Sequence, residues 1–196
     1  MDLPGEKTFV AQARKDPQAF AALYDLYVDR IYAYAYRRSG DVALAQDITS
    51  ATFEKALRHI RRYKWQKKSF VAWLYTIARN ESVRLYRETA RTTLTAVQPV
   101  AQQDVEQTVD QRQRESRLRL ALADLSEADR EIITLRYFED LSSAEVAEVL
   151  NISVNNVYVR LHRALERLRQ IYEGSDTTAE ANSASDRLGE AHNVSG

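Results

Sequence analysis

The 196-residue chain contains no cysteine, five glycines and three prolines. Without cysteine it forms neither a disulfide nor a thiolate metal site, and a reducing compartment is compatible with this composition. The scarcity of helix-breaking residues, together with the lack of sustained alternation between apolar and polar positions, predicts an all-α protein.

Long apolar runs are also missing, and no run is long enough to span a bilayer. The N-terminal stretch MDLPGEKTFVAQARKD lacks the apolar core of a signal peptide. We therefore expect no membrane insertion and a cytoplasmic location. His59, His162 and His192 show no ligand spacing with carboxylates, and the glycines do not cluster as a phosphate-binding loop requires. We expect no enzyme activity, no metal site and no cofactor.

The charge of the chain is unevenly distributed although its net value is zero. From residue 58 to residue 91, ten Lys or Arg residues stand against two acids, a local balance of +8. Residues 174–196 carry four acids and one Arg, a balance of −3. A basic patch inside a neutral chain is typical of nucleic-acid binding.

The first part of the chain predicts three helices. Asp16 as a cap and Pro17 at a first helical position indicate where the first helix begins. Gly40 ends it and Asp41 caps the second. A basic, aromatic loop, RRYKWQKKS (61–69), precedes the third helix, FVAWLYTIARNESVRLYRE (70–88). Together they predict a compact helical domain over residues 1–91.

The segment 92–114 is polar and Gln-rich, and we interpret it as a flexible linker. Fully extended, its 23 residues reach roughly 75 Å, which is about two turns of B-DNA at roughly 34 Å each. A second helical domain follows over 115–173, with Ser126 as a cap for one of its helices. Residues 174–196 are poor in apolar side chains, which predicts a disordered tail.

The stretch LSSAEVAEVLNISVNNVYVRLHRALERL (141–168) predicts two short helices joined by a tight turn. Ser142 and Glu145 have the spacing of a capping box, and Asn151 suits the left-handed conformation that ends a helix. Ser153 or Asn155 offers an oxygen that caps the next helix. This pattern is typical of a helix-turn-helix, whose second helix enters the major groove of DNA. An ordinary helical hairpin with a solvated outer face is the alternative.

Aromatic residues are interleaved with the basic residues of the loop and third helix. Such a mixture is typical of surfaces that bind single-stranded nucleic acid, where stacking contributes roughly 1–3 kcal/mol per base. Phe70, Trp73, Leu74 and Ile77 repeat at helical spacing, which favours a place in the core. Trp65, in the polar loop, is the better candidate for a base contact.

Three segments in this order resemble a bacterial RNA polymerase sigma factor of the extracytoplasmic-function (ECF) class: AQDITSATFEKAL, then FVAWLYTIARN after a basic loop, and LRYFEDLSSAEVAEVLNIS after a linker. The resemblance covers about residues 16–91 and 115–172. It implies a sigma region 2-like domain and a region 4-like helix-turn-helix domain. It also implies a transcription initiation factor that binds core RNA polymerase, directs it to specific promoters and assists promoter opening.

The resemblance also implies three sets of site residues. Contacts with core polymerase are expected around Asp47, Ile48, Thr52 and Phe53. Residues expected near the −10 element are Trp65, Lys67, Lys68, Ser69, Asn80, Arg84 and Arg87. Residues expected at the −35 element are Asn155, Asn156, Tyr158, Val159, Arg160 and Arg163. Many members of the class have an anti-sigma partner. The pairs Asn155-Asn156 and Tyr158-Val159 depart from those common in the family, so the −35 sequence preference is not predicted.

Two other functions are compatible with these patterns. A dimeric helix-turn-helix repressor or activator would bind DNA without polymerase. A helical adaptor would use the basic patch to meet an acidic partner protein. The basic, aromatic loop favours the sigma factor, because a repressor does not need it.

Overall fold

A computed structural model describes residues 6–64, 69–90 and 109–192, and all regular secondary structure in these ranges is helical. The N-terminal unit contains α1 (Glu6–Ala13), α2 (Phe20–Ser39), α3 (Val42–His59) and α4 (Phe70–Ala90). The C-terminal unit contains α5 (Val109–Ala123), α6 (Glu127–Ile133), α7 (Ser143–Leu150) and α8 (Val154–His192). Short 3₁₀ turns lie at Pro17–Ala19 and Ile60–Arg62, and a π-helical turn lies at Thr134–Phe138. The predicted all-α fold is confirmed.

Local capping sets the ends of the N-terminal helices. The Asp16 carboxylate accepts a hydrogen bond from the Gln18 N–H at 2.9 Å, but it opens a 3₁₀ turn, so α2 begins at Phe20. Gly40 ends α2 in the left-handed conformation (φ 64°) and donates its N–H to the Tyr36 carbonyl. Asp41 then accepts from the Leu44 N–H at 2.7 Å and starts α3. The predicted stop at Gly40 and cap at Asp41 are confirmed.

The core of the N-terminal unit is built from aromatic residues. Tyr27, Tyr34, Phe70 and Tyr75 are fully buried, and the rings of Tyr34 and Tyr75 meet edge to face with centroids 5.2 Å apart. Phe70, Leu74 and Ile77 lie in this core as their helical spacing predicts, and Trp73 packs half-buried beside Tyr63. The sequence patterns do not predict α1, since it is only eight residues long; Val10 and Ala13 are the apolar residues that it buries.

In the C-terminal unit the predicted helix-turn-helix is present as α7 and α8. Ser142 and Glu145 form the capping box, and Asn151 takes the left-handed conformation (φ 53°) that ends α7. The Ser153 hydroxyl accepts from the Asn156 N–H at 3.2 Å, at the start of α8. Ser126 caps α6 through the Asp129 N–H, also as predicted.

The backbone of α8 continues to His192, through a segment whose composition predicts disorder. That prediction rests on the shortage of apolar residues, which gives this end of the chain few side chains to bury in a core. Packing of α8 against α6 and α7 accounts for its first part.

The two units lie against each other, with α4 packed on α7. One buried apolar cluster contains residues of both, among them Phe70 and Leu74 on α4 and Val146 and Val149 on α7. Hydrogen bonds also join α2, Ser69 and α4 to the segment between Glu127 and Glu145. We call this arrangement the closed form.

Candidate nucleic-acid interface

The first turns of α8 have one buried and one exposed face. Val157, Leu161 and Ala164 point into the core of the C-terminal unit. The six residues predicted for the −35 element are all exposed: Asn155, Asn156, Tyr158, Val159, Arg160 and Arg163. The fold therefore brings them together at the start of one helix, as required of a recognition helix.

The turn between α7 and α8 is fixed by backbone hydrogen bonds. Asn151 donates its N–H to carbonyls of the last turn of α7, and Ile152 donates to the Ala147 carbonyl at 3.0 Å. The Ile152 side chain packs against the core. Because both the backbone hydrogen bonds and the packing of Ile152 fix the turn, α8 has a defined orientation relative to α7.

Three of the residues predicted for the −10 element form a stripe along α4. Asn80, Arg84 and Arg87 follow one another at four- and three-residue steps, and all three are exposed. Trp65, Lys67 and Lys68 lie outside the described residues. Described residues of the same loop include Lys64, which is exposed, and Tyr63, which is buried.

Ser69, the remaining −10 prediction, lies at the boundary between the units. Its hydroxyl donates to Glu145 Oε1 at 2.9 Å and accepts from the Ala72 N–H at 3.1 Å, at the start of α4. A hydroxyl has one proton to donate. In the closed form Ser69 therefore has no proton left for a nucleic-acid acceptor.

Arg84 belongs to an ionic network with two acids of α4 and one lysine of α3. It donates to Glu81 Oε2 at 2.9 Å and to Glu88, while Lys55 on α3 donates to Glu81 Oε1 at 2.7 Å. Burial favours a higher pKa for Glu81, but the hydrogen bonds and charges of Lys55 and Arg84 outweigh it and lower that pKa. The i, i+3 and i, i+4 spacing of Glu81, Arg84 and Glu88 was the available sequence signal.

The residues predicted for polymerase binding divide into one on the surface and three beneath it. Asp47 is exposed on α3, whereas Ile48 and Thr52 are fully buried and Phe53 is nearly so. The Thr52 hydroxyl donates to the Ile48 carbonyl at 2.6 Å. Phe53 packs edge-on against Tyr24 with centroids 4.8 Å apart. Exposed neighbours of Asp47 on α3 include Ser50, Glu54 and Leu57.

Among the described residues, no group of three or more His, Asp or Glu side chains is placed to hold a metal ion. None of the helices in the described ranges is both long and apolar enough to cross a membrane.

Comparison with known proteins identifies the two units. The family model for sigma-70 region 2 matches residues 23–92, and the model for sigma-70 region 4 matches residues 115–168. The chain is 33% identical over 178 residues to the ECF RNA polymerase sigma factor SigW of Bacillus subtilis, covering 84% of this chain and 95% of that protein. This chain belongs to the ECF RNA polymerase sigma factors.

Another relative of this sigma factor is the ECF RNA polymerase sigma factor BldN of Streptomyces coelicolor, 35% identical over 161 residues. That match covers 80% of this chain but only 61% of BldN. Among solved structures, CnrH in complex with the cytosolic domain of CnrY is similar, with a TM-score of 0.64 and 25% identity; the match covers 85% of this chain and 96% of CnrH. The sigma factor RpoE of Bartonella quintana, solved with the anti-sigma factor NepR, shares the fold, with a TM-score of 0.65 and 23% identity over 79% of this chain and 96% of RpoE.

Proposed function

We propose that this sigma factor mounts on core RNA polymerase through α3, reads the −35 element with α8 and captures the −10 element with α4 and the loop before it. In this way it directs the polymerase to a subset of promoters and helps to open them. It carries out no catalysis of its own and acts in the cytoplasm, where bacterial transcription takes place. An anti-sigma factor is a further proposed partner, by analogy with the RpoE complex.

The observation that carries this proposal is the exposed face at the start of α8. Asn155 and Asn156 offer amides that can hydrogen-bond to base edges, and Arg160 and Arg163 offer guanidinium groups for guanine or phosphate. The opposite face of the same turns is buried, so the exposed side chains are held on a rigid support.

The residues proposed for the −10 element differ in how readily they can contact DNA. Asn80 and Arg87 are the exposed α4 residues proposed to meet the strand, with Trp65, Lys67 and Lys68 of the loop. Arg84 contributes less charge than its sequence position suggests, because Glu81 and Glu88 accept its hydrogen bonds. Ser69 becomes available only when Glu145 moves away.

The polymerase-binding role centres on Asp47 and the exposed side of α3. Ile48, Thr52 and Phe53 are proposed to act indirectly, because their burial against the neighbouring helices fixes the orientation of that side. Truncating them would therefore lower the stability of the unit as well as polymerase binding.

Run-off transcription with core polymerase on a promoter library tests the function directly. We expect transcripts from a subset of promoters only when both the sigma factor and core enzyme are present. A gel shift with and without core enzyme is the companion measurement. Specific, high-affinity DNA binding by the purified chain alone, as a dimer, would contradict the proposal and support the repressor alternative.

A further inference from the structure

Polar contacts join the two units, with carboxylates on one side of the boundary and guanidinium or hydroxyl donors on the other. The carboxylates come from the C-terminal unit, chiefly Glu131, Glu139 and Glu145, whose side chains are almost completely buried. The donors that meet them across the boundary come from α2, α4 and the residue before α4: Tyr34, Arg37, Arg38, Ser69, Tyr75 and Arg79. We call the three carboxylates the glutamate latch.

Glu131, on α6, has three partners in the N-terminal unit. Its Oε1 accepts from Arg38 at 2.7 Å and from the Tyr34 hydroxyl at 3.1 Å, and Arg79 donates to both of its oxygens at 3.1 Å. Burial raises the pKa of Tyr34 far above its usual range, so the tyrosine remains a protonated donor. Arg38 also donates to Glu127 at 2.6 Å.

Glu139 follows the π-helical turn and reaches the same face of the N-terminal unit. One of its oxygens accepts from Arg37 and the other from the Tyr75 hydroxyl, both at 2.6 Å. Its backbone carbonyl accepts from Arg30 at 2.7 Å. Arg37 also lies over the ring of Phe138, 5.5 Å from the centroid.

Glu145 has a double role. Its Oε2 accepts from the Ser142 N–H at 2.8 Å in the capping box of α7, while its Oε1 accepts from the Ser69 hydroxyl at 2.9 Å. The start of the helix-turn-helix is thereby attached to the start of α4, next to the loop proposed to capture bases.

The closed form is incompatible with simultaneous occupation of both promoter elements. Positions −10 and −35 lie about 25 base pairs apart, or roughly 85 Å of B-DNA at 3.4 Å per base pair. The hydrogen bonds of 2.6–3.1 Å that α2, Ser69 and α4 donate to residues 131–145 do not survive a separation on that scale. In addition, the closed form occupies the hydroxyl of Ser69.

We propose that the glutamate latch holds the free chain closed, and that the latch must open before this sigma factor engages both promoter elements. This inference rests on the proposed function. The latch is an intramolecular restraint, built from residues of this chain alone.

The chemistry of the latch suits a contact that opens. Burying carboxylates and guanidinium groups has a large desolvation cost, which their mutual attraction offsets only in part. When the units separate, both sets of charges regain water, so the latch itself contributes far less free energy to the closed form than its number of ion pairs suggests. Replacing a buried carboxylate by a neutral amide leaves the opposing arginines without full compensation and favours the open form.

Distance measurements on labelled chains test the latch, and the absence of native cysteine makes labelling simple. Cysteines are introduced at two exposed positions, Asp25 on α2 and Gln170 on α8, and labelled with a fluorescent donor and acceptor. We expect high energy transfer in the unmodified chain and a clear loss of transfer in the Glu131→Gln, Glu139→Gln double variant. Adding core polymerase should lower the transfer of the unmodified chain as well.

The matched control is the Asp124→Asn, Glu173→Gln double variant. It removes the same charge from two exposed carboxylates of the C-terminal unit, and it should leave the transfer unchanged. Circular dichroism checks that every variant keeps its helices. Small-angle scattering of the unmodified chain gives a second reading that needs no substitution, with a compact particle expected.

The outcomes separate this inference from the function itself. Equal transfer in the latch and control variants, or an extended unmodified chain, would overturn the latch even if run-off transcription succeeds. The Glu131→Gln, Glu139→Gln variant should reach half-maximal transcription at a lower sigma-factor concentration than the unmodified chain. The ratio of the two concentrations should equal the ratio of the open fractions of the two chains. Absence of transcription from every variant would instead contradict the proposed function.

Discussion

The arginine side chains of this protein differ in whether a carboxylate pairs with them, and this difference bears on which of them can bind DNA. Arg160 and Arg163 are exposed at the start of α8, and within the described residues neither lies within ion-pair distance of a carboxylate. Arg84 is held between Glu81 and Glu88, and Arg38 is nearly buried against Glu131. Of these four arginines, Arg160 and Arg163 can meet an anionic ligand without first giving up a partner, whereas Arg84 and Arg38 cannot.

The Arg160→Ala and Arg163→Ala variants should weaken use of the −35 element. A well-placed arginine contact to a base contributes roughly 1–3 kcal/mol, so each variant is expected to lose about 5- to 150-fold in transcription from promoters that depend on that element. Run-off transcription with core polymerase is the measurement.

Arg169→Ala is the matched control for these variants. Arg169 lies on the same helix, is exposed and pairs with Glu173, so its loss changes the charge equally but away from the proposed DNA face. If an arginine contacts phosphate rather than a base, its removal should lower the salt dependence of binding by about one unit of slope at all sequences. An equal effect of all three substitutions would contradict the proposed recognition face.

Glu81 gives a pH-dependent prediction at the same scale. Its pKa is lowered from 4.5 in the folded chain, so it binds protons more weakly there than in the unfolded chain. The stability that it contributes is therefore present above pH 4.5 and is lost as the pH falls through the lowered pKa. We expect Glu81→Gln to be less stable than the unmodified chain at pH 7 and to approach it in acid.

Urea unfolding at a series of pH values measures this difference. Glu88→Gln is the comparison, because Glu88 is exposed and meets Arg84 from the solvent side. If the difference in free energy of unfolding between Glu81→Gln and the unmodified chain stays constant from pH 7 to acid, the role assigned to the Lys55 and Arg84 contacts is wrong.

At the scale of elements, the ends of helices set the positions of the proposed DNA-binding surfaces. Gly40 turns the chain from α2 into α3, and Asn151 turns it from α7 into α8, both with positive φ. Asparagine tolerates this conformation better than other residues that have a Cβ, and glycine tolerates it without cost. The position of α8 relative to α7 therefore depends on one residue of suitable type.

Asn151→Ala should lower the free energy of unfolding by about 1 kcal/mol, because alanine is strained in the left-handed conformation. Asn151→Gly should stay within about 0.5 kcal/mol of the unmodified chain, since glycine adopts that conformation freely. Urea unfolding compares the two. Equal losses in the two variants would show that the Asn151 side chain, which both variants remove, matters rather than the left-handed backbone conformation.

The exposed side of α3 gives a second prediction at this scale. Asp47→Ala should reduce binding to core polymerase without lowering the stability of the chain, because Asp47 is exposed. Asp25→Ala, an exposed acid on α2, is the control. Fluorescence anisotropy of the labelled sigma factor titrated with core enzyme measures the affinity. Identical affinities for the two variants would remove Asp47 from the proposed polymerase contact.

At the scale of the whole molecule, the length of chain between the units limits how far apart they can act. Residues 91–108 separate α4 from α5 along the chain. Fully extended, these eighteen residues span roughly 60 Å, and deleting twelve of them would leave about 20 Å. The deletion should abolish transcription from promoters that need both elements, because the two units no longer reach both sites.

A variant in which the same twelve residues are replaced by glycine and serine keeps the length and changes the sequence. It should retain most of the transcription, since flexible linkers of equal length have comparable reach. Loss of activity in this variant as well would show that the linker acts through its sequence rather than through its length.

Helix positions, caps and family followed from the sequence, because hydrophobic periodicity and capping depend on neighbours within a few residues of each other. Gly40, Asp41, Ser142 with Glu145, and Asn151 were predicted in this way and are found in those roles. The exposed face of α8 was predicted for the same reason.

Contacts between residues distant in sequence were decided only by the tertiary structure. Glu131 meets Arg38 from 93 positions away, and Glu139 meets Tyr75 across 64 positions. No local pattern predicts such pairs, since an acidic residue in a helix is expected to face solvent unless another helix packs over it. The sequence determined the two helical units and their proposed DNA faces, whereas the packing of α4 on α7 decided that the units close on each other through buried charge.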